Sequence, residues 1–335
     1  MIGDRGMAAP TMNVDPIDRL ARRYSVFAEK EARGRCPLYD ELAVGVACDR
    51  PTLQFLTTFQ AAKQQPNLLF AAVRFVCGTP QGWQDFRRLL HDHKDQIAAV
   101  MLARSTQTNE PARCATLLPV LASLPQPLAL IEVGASAGLC LIPDRYAYHY
   151  GGHRVLPRCS GSGEPPVFRC VASPDTPLPQ ECPEVVWRAG IDLNPIDVND
   201  AEQVRWLETL VWPGEEDRLT SLRAALSLAR EDPPRVIAGD LRTDLPELAA
   251  QSPAATLVVF HTAVLAYVPR TDRFRFYETM RELDAVWVCN ETPEIVSDIV
   301  ATSRQPPSSG SFLLSVNRQP VAWTDPHGRS IEWIG

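Results

Sequence analysis

Seven residues, Glu132-Val133-Gly134-Ala135-Ser136-Ala137-Gly138, bring together a carboxylate, a serine hydroxyl and two glycines directly after an apolar run. A strand that ends in a small-residue turn and passes into a helix has three uses. The backbone can approach a ligand closely, the N–H groups of the turn can receive an anionic or polar group, and the helix can pack near the strand. The spacing here is ExGxxxG, so the GxGxxG dinucleotide fingerprint is not met. Three more apolar runs end in polar residues: Gly190-Ile191-Asp192, Gly239-Asp240-Leu241 and Phe260-His261-Thr262. A carboxylate at a strand end, such as Asp192, can accept both hydrogens of a ribose diol, and Asp240 or its adjacent backbone can receive an adenine amino group. His261 ends an otherwise apolar strand, and imidazole titrates near neutrality, which makes it the candidate general base. The competing reading is a core histidine hydrogen-bonded to backbone. Tyr267 and Arg270 follow on the next loop as candidate substrate contacts, and Glu291 ends a fifth run, where a structural role at the sheet edge is expected.

These residues need a frame. From residue 15 to about 120 the patterns are helical. Leu20, Tyr24, Phe27 and Ala28 share one stripe after an Asp cap, and four further helical runs are separated by Pro51, Pro66 and the Gly78-Thr79-Pro80 break. The register changes near residue 127. Strands are expected near residues 127–133, 184–193, 234–241, 255–265 and 284–292, with helices at 139–150, 198–212, 217–230, 244–250 and 270–282. Three short strands close the chain, joined by turns at residues 317–320 and 325–328. The expected fold is therefore α/β: a Rossmann-like, mostly parallel sheet with antiparallel hairpin strands at its C-terminus, preceded by an all-helical domain. The boundaries are 1–14 (disordered), 15–120 (helical) and 121–335 (core). Residues 151–183 hold 7 prolines and 4 glycines, and this irregular insertion, with short edge strands expected at HRVLP (153–157) and VFRCVA (167–172), is expected to form a partly ordered flap beside the ligand crevice.

Composition narrows the classes. The chain has 335 residues, 45% of them apolar and 22% charged, with net charge −7. That is enough apolar material for a sizeable core, and the negative balance argues against a general nucleic-acid surface. The most apolar run, residues 256–268, is shorter than the roughly 20 residues needed to span a membrane. Nine cysteines are scattered without a CxxC pair, so neither a disulfide framework nor a structural zinc site is expected. Together with an N-terminus that lacks an apolar signal stretch, this leads to the expectation of a cytoplasmic protein. No metal is expected. His91 and His93 are two apart on a helix and do not face each other.

The ExGxxxG turn, Asp192, Gly239-Asp240 and the apolar strand ending at His261 resemble motifs I to IV of class I S-adenosylmethionine-dependent methyltransferases. The resemblance covers about residues 105–335. More narrowly, QPNLLFAAVR (65–74), TQTNEPARCATLLPVL (106–121), IEVGASAGLCLIPDRYAYHYG (131–151) and RAGIDLNPID (188–197) resemble a bacterial family of unknown function whose core is taken to be methyltransferase-like. The superfamily's middle glycine is Ser136 here, and 60 residues separate Glu132 from Asp192 where the superfamily has fewer. No Asp/Asn-Pro-Pro-Tyr occurs, so methylation of flipped nucleobases is not implied. The resemblance implies that Glu132, Gly134, Ala135, Ser136 and Gly138 hold the methionine end of S-adenosylmethionine, Asp192 the ribose, and Asp240 with Leu241 the adenine. The segment carrying Gln107, Asn109, Glu110 and Arg113 would fold over the cofactor, with Arg113 on its carboxylate. Asn109 also fits a helix cap. The expected function is methyl transfer to an unidentified small molecule. The alternatives are a non-catalytic S-adenosylmethionine or nucleotide binder and, against the missing GxGxxG, a nicotinamide-dependent oxidoreductase.

Overall fold

The computed structural model describes residues 15–107, 109–158, 164–300, 305–308 and 310–334. The expected disorder of residues 1–14 lies outside them. The chain divides into two compact units, residues 1–106 with 209–215, and residues 107–208 with 216–335.

The first unit is helical: α1 (Pro16–Phe27), α2 (Pro37–Cys48), α3 (Arg50–Thr57), α4 (Pro66–Cys77), α5 (Trp83–Asp92) and α6 (Lys94–Ala103). Local chemistry sets their starts. Prolines occupy the first turns of α1 to α4, where a missing N–H costs nothing. Asp15 accepts from Ile17 N at 2.9 Å, and Asp49 accepts from Thr52 N at 3.1 Å. The interior is aromatic. Phe70 is fully buried, with ring centroids of Tyr24, Phe27, Tyr39 and Phe86 at 6.0, 6.0, 4.9 and 5.6 Å. Trp212, from the segment that joins this unit later in the chain, packs on Phe27 and Tyr39. Arg74 secures that segment by donating to the carbonyls of Thr209 and Val211, both at 2.7 Å.

The second unit is a mixed α/β structure around a large, mostly parallel sheet. Its strands are β1 (Leu128–Val133), β2 (Ala147–Tyr150), β3 (His153–Val155), β4 (Val167–Arg169), β5 (Val171–Ala172), β6 (Val185–Asp192), β7 (Val236–Ala238), β8 (Thr256–Thr262), β9 (Val286–Glu291), β10 (Phe312–Val316), β11 (Gln319–Thr324) and β12 (Ser330–Trp333). Nine of them form one sheet in the order β5-β12-β11-β10-β9-β8-β1-β6-β7. The five consecutive strands β7, β6, β1, β8 and β9 are all parallel, and β10 to β12 form an antiparallel meander. Helices α7 (Cys114–Ser123), α8 (Ala201–Leu210), α9 (Glu216–Glu231), α10 (Leu245–Ala249), α11 (Arg270–Glu282) and α12 (Ser297–Val300) complete the unit. All six residues of β1 are buried, as suits the centre of a parallel sheet. Ile131, Ala189, Val259 and Trp287 share a core cluster with Leu245 and Leu248 of α10 and Phe276 and Met280 of α11. Asn317 and Arg318 both have positive φ, 47° and 66°, which gives the tight turn joining β10 to β11.

The expectation for residues 139–150 needs correction. No α-helix follows β1. Two 3-10 turns, Leu139–Leu141 and Pro143–Arg145, lead into β2. Gly138 adopts a left-handed φ of 70°, and Pro143 brings no N–H for a helical ladder. The tyrosines then fix the new path. Tyr146, Tyr148 and Tyr150 donate their hydroxyls to the carbonyls of Leu139, Pro143 and Ala115. Over its described length the proline-rich insertion carries three short strands. It supplies β3 and β4 to a small sheet, order β3-β2-β4, and β5 to the outer edge of the main sheet beside β12. Residues 159–163 lie outside the described residues.

Candidate functional site

Parallel strands deliver the candidate residues to one edge. Strand β1 ends at the glycine turn, whose chain folds back on β6: Gly134 N donates to Ile191 O at 2.8 Å and Ser136 N to the Asp192 carboxylate at 2.8 Å. Asp192 also accepts from Asn194 N at 2.8 Å and from the Gln107 amide at 3.4 Å. Its own carbonyl accepts from Gly239 N at 3.0 Å. The turn, the acid ending β6 and the Gly239-Asp240 corner are therefore in direct contact. Gly134, Ser136 and Gly138 have φ of 73°, 51° and 70°, so the turn is left-handed at three of five positions. The sides of the turn where Cβ atoms would lie are packed by protein. A Cβ on residue 134 would lie 2.5 Å from Val264 Cγ2, and one on residue 138 would lie 2.9 Å from Pro234 Cγ. Ala135 fills the space left by Gly190.

Two buried polar atoms in the turn have no hydrogen-bond partner, Glu132 Oε2 and Ser136 Oγ. Glu132 is 5% exposed. Burial, reinforced by the Cys140 thiol and the Asp192 charge, pushes its carboxyl well above the usual range, and the Arg113 charge only partly opposes this. Its surroundings thus favour the protonated form, in which a carboxyl can donate as well as accept.

The segment before α7 crosses the same edge. Gln107 donates to Asn194 O at 2.6 Å. Asn109 brackets the turn, donating to Ala135 O and accepting from Leu139 N, both at 3.3 Å. It is a clamp on the turn rather than the cap of a following helix. The capping role falls to Glu110, which accepts from Ala112 N at 3.4 Å. Glu110 also pairs with Arg218 and lies 3.4 Å from His327 Nδ1. Burial works against its charge, but the His327 hydrogen bond and the Arg218 charge prevail and hold it down to about 2. Arg113 is 5% exposed. Its Nε donates to Pro326 O at 2.7 Å and its Nη1 to Thr262 O at 3.1 Å, so these donors serve the fold in this structure.

Asp240 and Leu241 are partly buried. Hydrogen bonds from Arg242 hold the Asp240 carboxyl below its ordinary range, and Arg242 bridges on to Asp272 at 2.9 Å. Leu241 packs against the core cluster. Beside the turn is a cleft of about 250 Å3 lined by Ala137, Ile196, Asp197, Gln203, Pro234 and Val236. Leu193, next to Asp192, is 70% exposed, and Tyr267 is 65% exposed. Arg270 is exposed, with its guanidinium 5.9 Å from the Phe274 ring.

His261 is fully buried, and neither ring nitrogen is open. Trp287 Nε1, which can only donate, lies 3.0 Å from Nε2. The proton is therefore on Nδ1, which faces Glu291 Oε1 at 2.8 Å. As placed, His261 does not reach the sheet edge as a proton acceptor. Trp287 and Val264 were not singled out from the sequence. A signal existed for Trp287: His261 pairs with Cys289 in register, so Trp287 and Glu291, two residues to either side, share its face. Among the described residues, no group of three His, Cys, Asp or Glu side chains is arranged to hold a metal ion, and no helix is long and apolar enough to cross a membrane.

The chain belongs to the family described as an uncharacterized protein conserved in bacteria (DUF2332), which matches residues 21–333. No curated protein matches it.

Proposed function

We propose that the edge formed by the glycine turn, Asp192 and Gly239-Asp240 binds S-adenosylmethionine on a Rossmann-like core, and that the protein transfers its methyl group to a small molecule. One observation carries the reading. Three polar corners, from the adjacent strands β1, β6 and β7, are hydrogen-bonded to one another at the C-terminal ends of parallel strands, where open α/β sheets bind their ligands. The orphaned Glu132 Oε2 and Ser136 Oγ support it, because buried polar atoms without partners are rare unless a ligand or water completes them.

These residues fit the cofactor in chemistry. Asp192 accepts from Ser136 N, Asn194 N and, at 3.4 Å, the Gln107 amide; displacing that long third bond would leave one lone pair on each oxygen for a ribose diol. Exposed Leu193 offers an apolar platform next to it. The cleft at Ala137 and Ile196, just under the roughly 300–1,000 Å3 of typical ligand sites, suits one flat group rather than a whole nucleotide. The sulfonium supplies an electrophilic methyl carbon when bound. The protein's part is then to exclude water and hold the acceptor in line. Tyr267 and Arg270, exposed after β8, are the groups proposed to meet the acceptor.

The closed state of His261 favours a second reading. With His261 turned inward and both of its ring nitrogens engaged, the site suits either a nucleophile that is already deprotonated or a non-catalytic binder of S-adenosylmethionine or a nucleotide. Calorimetric titration decides first. S-adenosylmethionine and S-adenosylhomocysteine are expected to bind saturably and NAD not to bind, with Asp192→Ala weakening the first two by at least about tenfold. Tighter binding of NAD than of either sulfur ligand would sink the methyltransferase reading.

A further inference from the structure

Val264 packs against the face of Gly134 where a Cβ would lie, and the backbone beside it is hydrogen-bonded to a buried polar cluster. Ala263, just before it, has a φ of 56°, a left-handed conformation that a side chain rarely adopts unless its surroundings enforce it. The enforcement is visible. Ala263 N donates to Asn290 O at 3.0 Å, and the next two amides converge on one carboxyl oxygen, Val264 N and Leu265 N reaching Glu291 Oε1 at 2.8 and 3.0 Å. The same oxygen receives His261 Nδ1, and His261 is oriented by Trp287 Nε1. His261 and Glu291 are both 0% exposed, and Glu291 Oε2 has no partner. An apolar pair would fill this volume with no orphaned oxygen. What the polar pair adds is a fixed turn that sets a valine against a glycine.

We propose that Trp287, His261 and Glu291 form a positioning relay that holds Val264 against Gly134, making residues 263–268 the gate to the glycine turn. The inference rests on the reading that an S-adenosyl ligand approaches that turn. It gives His261 a positioning role in place of proton transfer. The gate lowers apparent affinity by the fraction of molecules in which it stands closed.

Two measurements on the full chain test it together. The first is amide hydrogen exchange across residues 262–268 and across β1, in wild type, Glu291→Leu and Glu291→Gln. The second is calorimetric titration of wild type and Val264→Ala with S-adenosylhomocysteine. Exchange at Val264 and Leu265 is expected to quicken by at least about tenfold in Glu291→Leu while β1 stays protected. Glu291→Gln should keep most of the protection, since its Oε1 can still accept from the Val264 and Leu265 amides. Val264→Ala, at a partly buried position that keeps the test open if Glu291→Leu does not fold, is expected to bind about fivefold tighter or better. Unchanged exchange in Glu291→Leu, a rise shared equally with β1, or unchanged or weaker affinity in Val264→Ala would overturn the proposal. Absence of binding by both titrated proteins would remove the ligand reading and the gate with it, while the exchange arm would still decide whether the relay holds the loop.

Discussion

Glu132 and Glu110 are buried to nearly the same degree, 5% and 3% exposed, yet their surroundings drive them in opposite directions. Burial dominates at Glu132 and raises its carboxyl pKa, so its contribution to stability is present below the ordinary value of 4.5 and is lost as pH rises above it. Glu132→Gln, which mimics the protonated form, should therefore raise the urea midpoint near pH 7 and leave it almost unchanged near pH 4. At Glu110 the His327 hydrogen bond and the Arg218 charge outweigh burial, and the shift is downward. Its contribution is present above 4.5 and is lost as pH falls toward about 2. Removing one partner of such a buried pair costs about 3 kcal/mol, so Glu110→Gln should lower stability by that order near pH 7, in urea titrations, with a shrinking difference at acid pH. His261 shows where residue type alone misleads. A histidine at the end of an apolar strand has the same appearance whether it opens to a crevice or turns inward. Only the register that sets it beside Trp287 and Glu291 separates the two.

At the scale of elements, the buried parallel strands were the most legible part of the chain, because a strand covered on both faces is a short apolar run with few alternatives. The runs around residues 255–265 and 284–292 contain β8 and β9, and α11 spans Arg270–Glu282, as its pattern indicates. The stretch after the glycine turn was not legible. Residues 139–142 are as apolar as a helix start, and the contacts that divert the chain into β2 are tyrosine hydroxyls reaching carbonyls up to 35 residues away. In the insertion, proline and glycine mark irregular backbone and the runs at 153–157 and 167–172 read as short edge strands; what the pattern does not show is that these pair with β2 and β12. In the helical unit, packing rather than propensity carries the stability, and Phe70 is its centre. Phe70→Ala should cost about 3–5 kcal/mol in thermal or urea unfolding, and Phe70→Leu distinctly less, since it retains most of the volume.

For the molecule as a whole, composition bounded the class without naming a function, and a fold of this kind hosts many chemistries. The functional reading depends on the junction of the glycine turn with Asp192 and Gly239-Asp240. The spacing of the acids pointed to that junction, while the covering of Gly134 by Val264 became visible only in three dimensions. Titration of the intact protein with S-adenosylhomocysteine, beside Asp192→Ala and NAD controls, tests the central claim most directly. Saturable binding in wild type, weakened at least about tenfold by Asp192→Ala and without binding of NAD, is the predicted result. No binding by a protein shown to be folded, or equal binding in the Asp192→Ala variant, would contradict it.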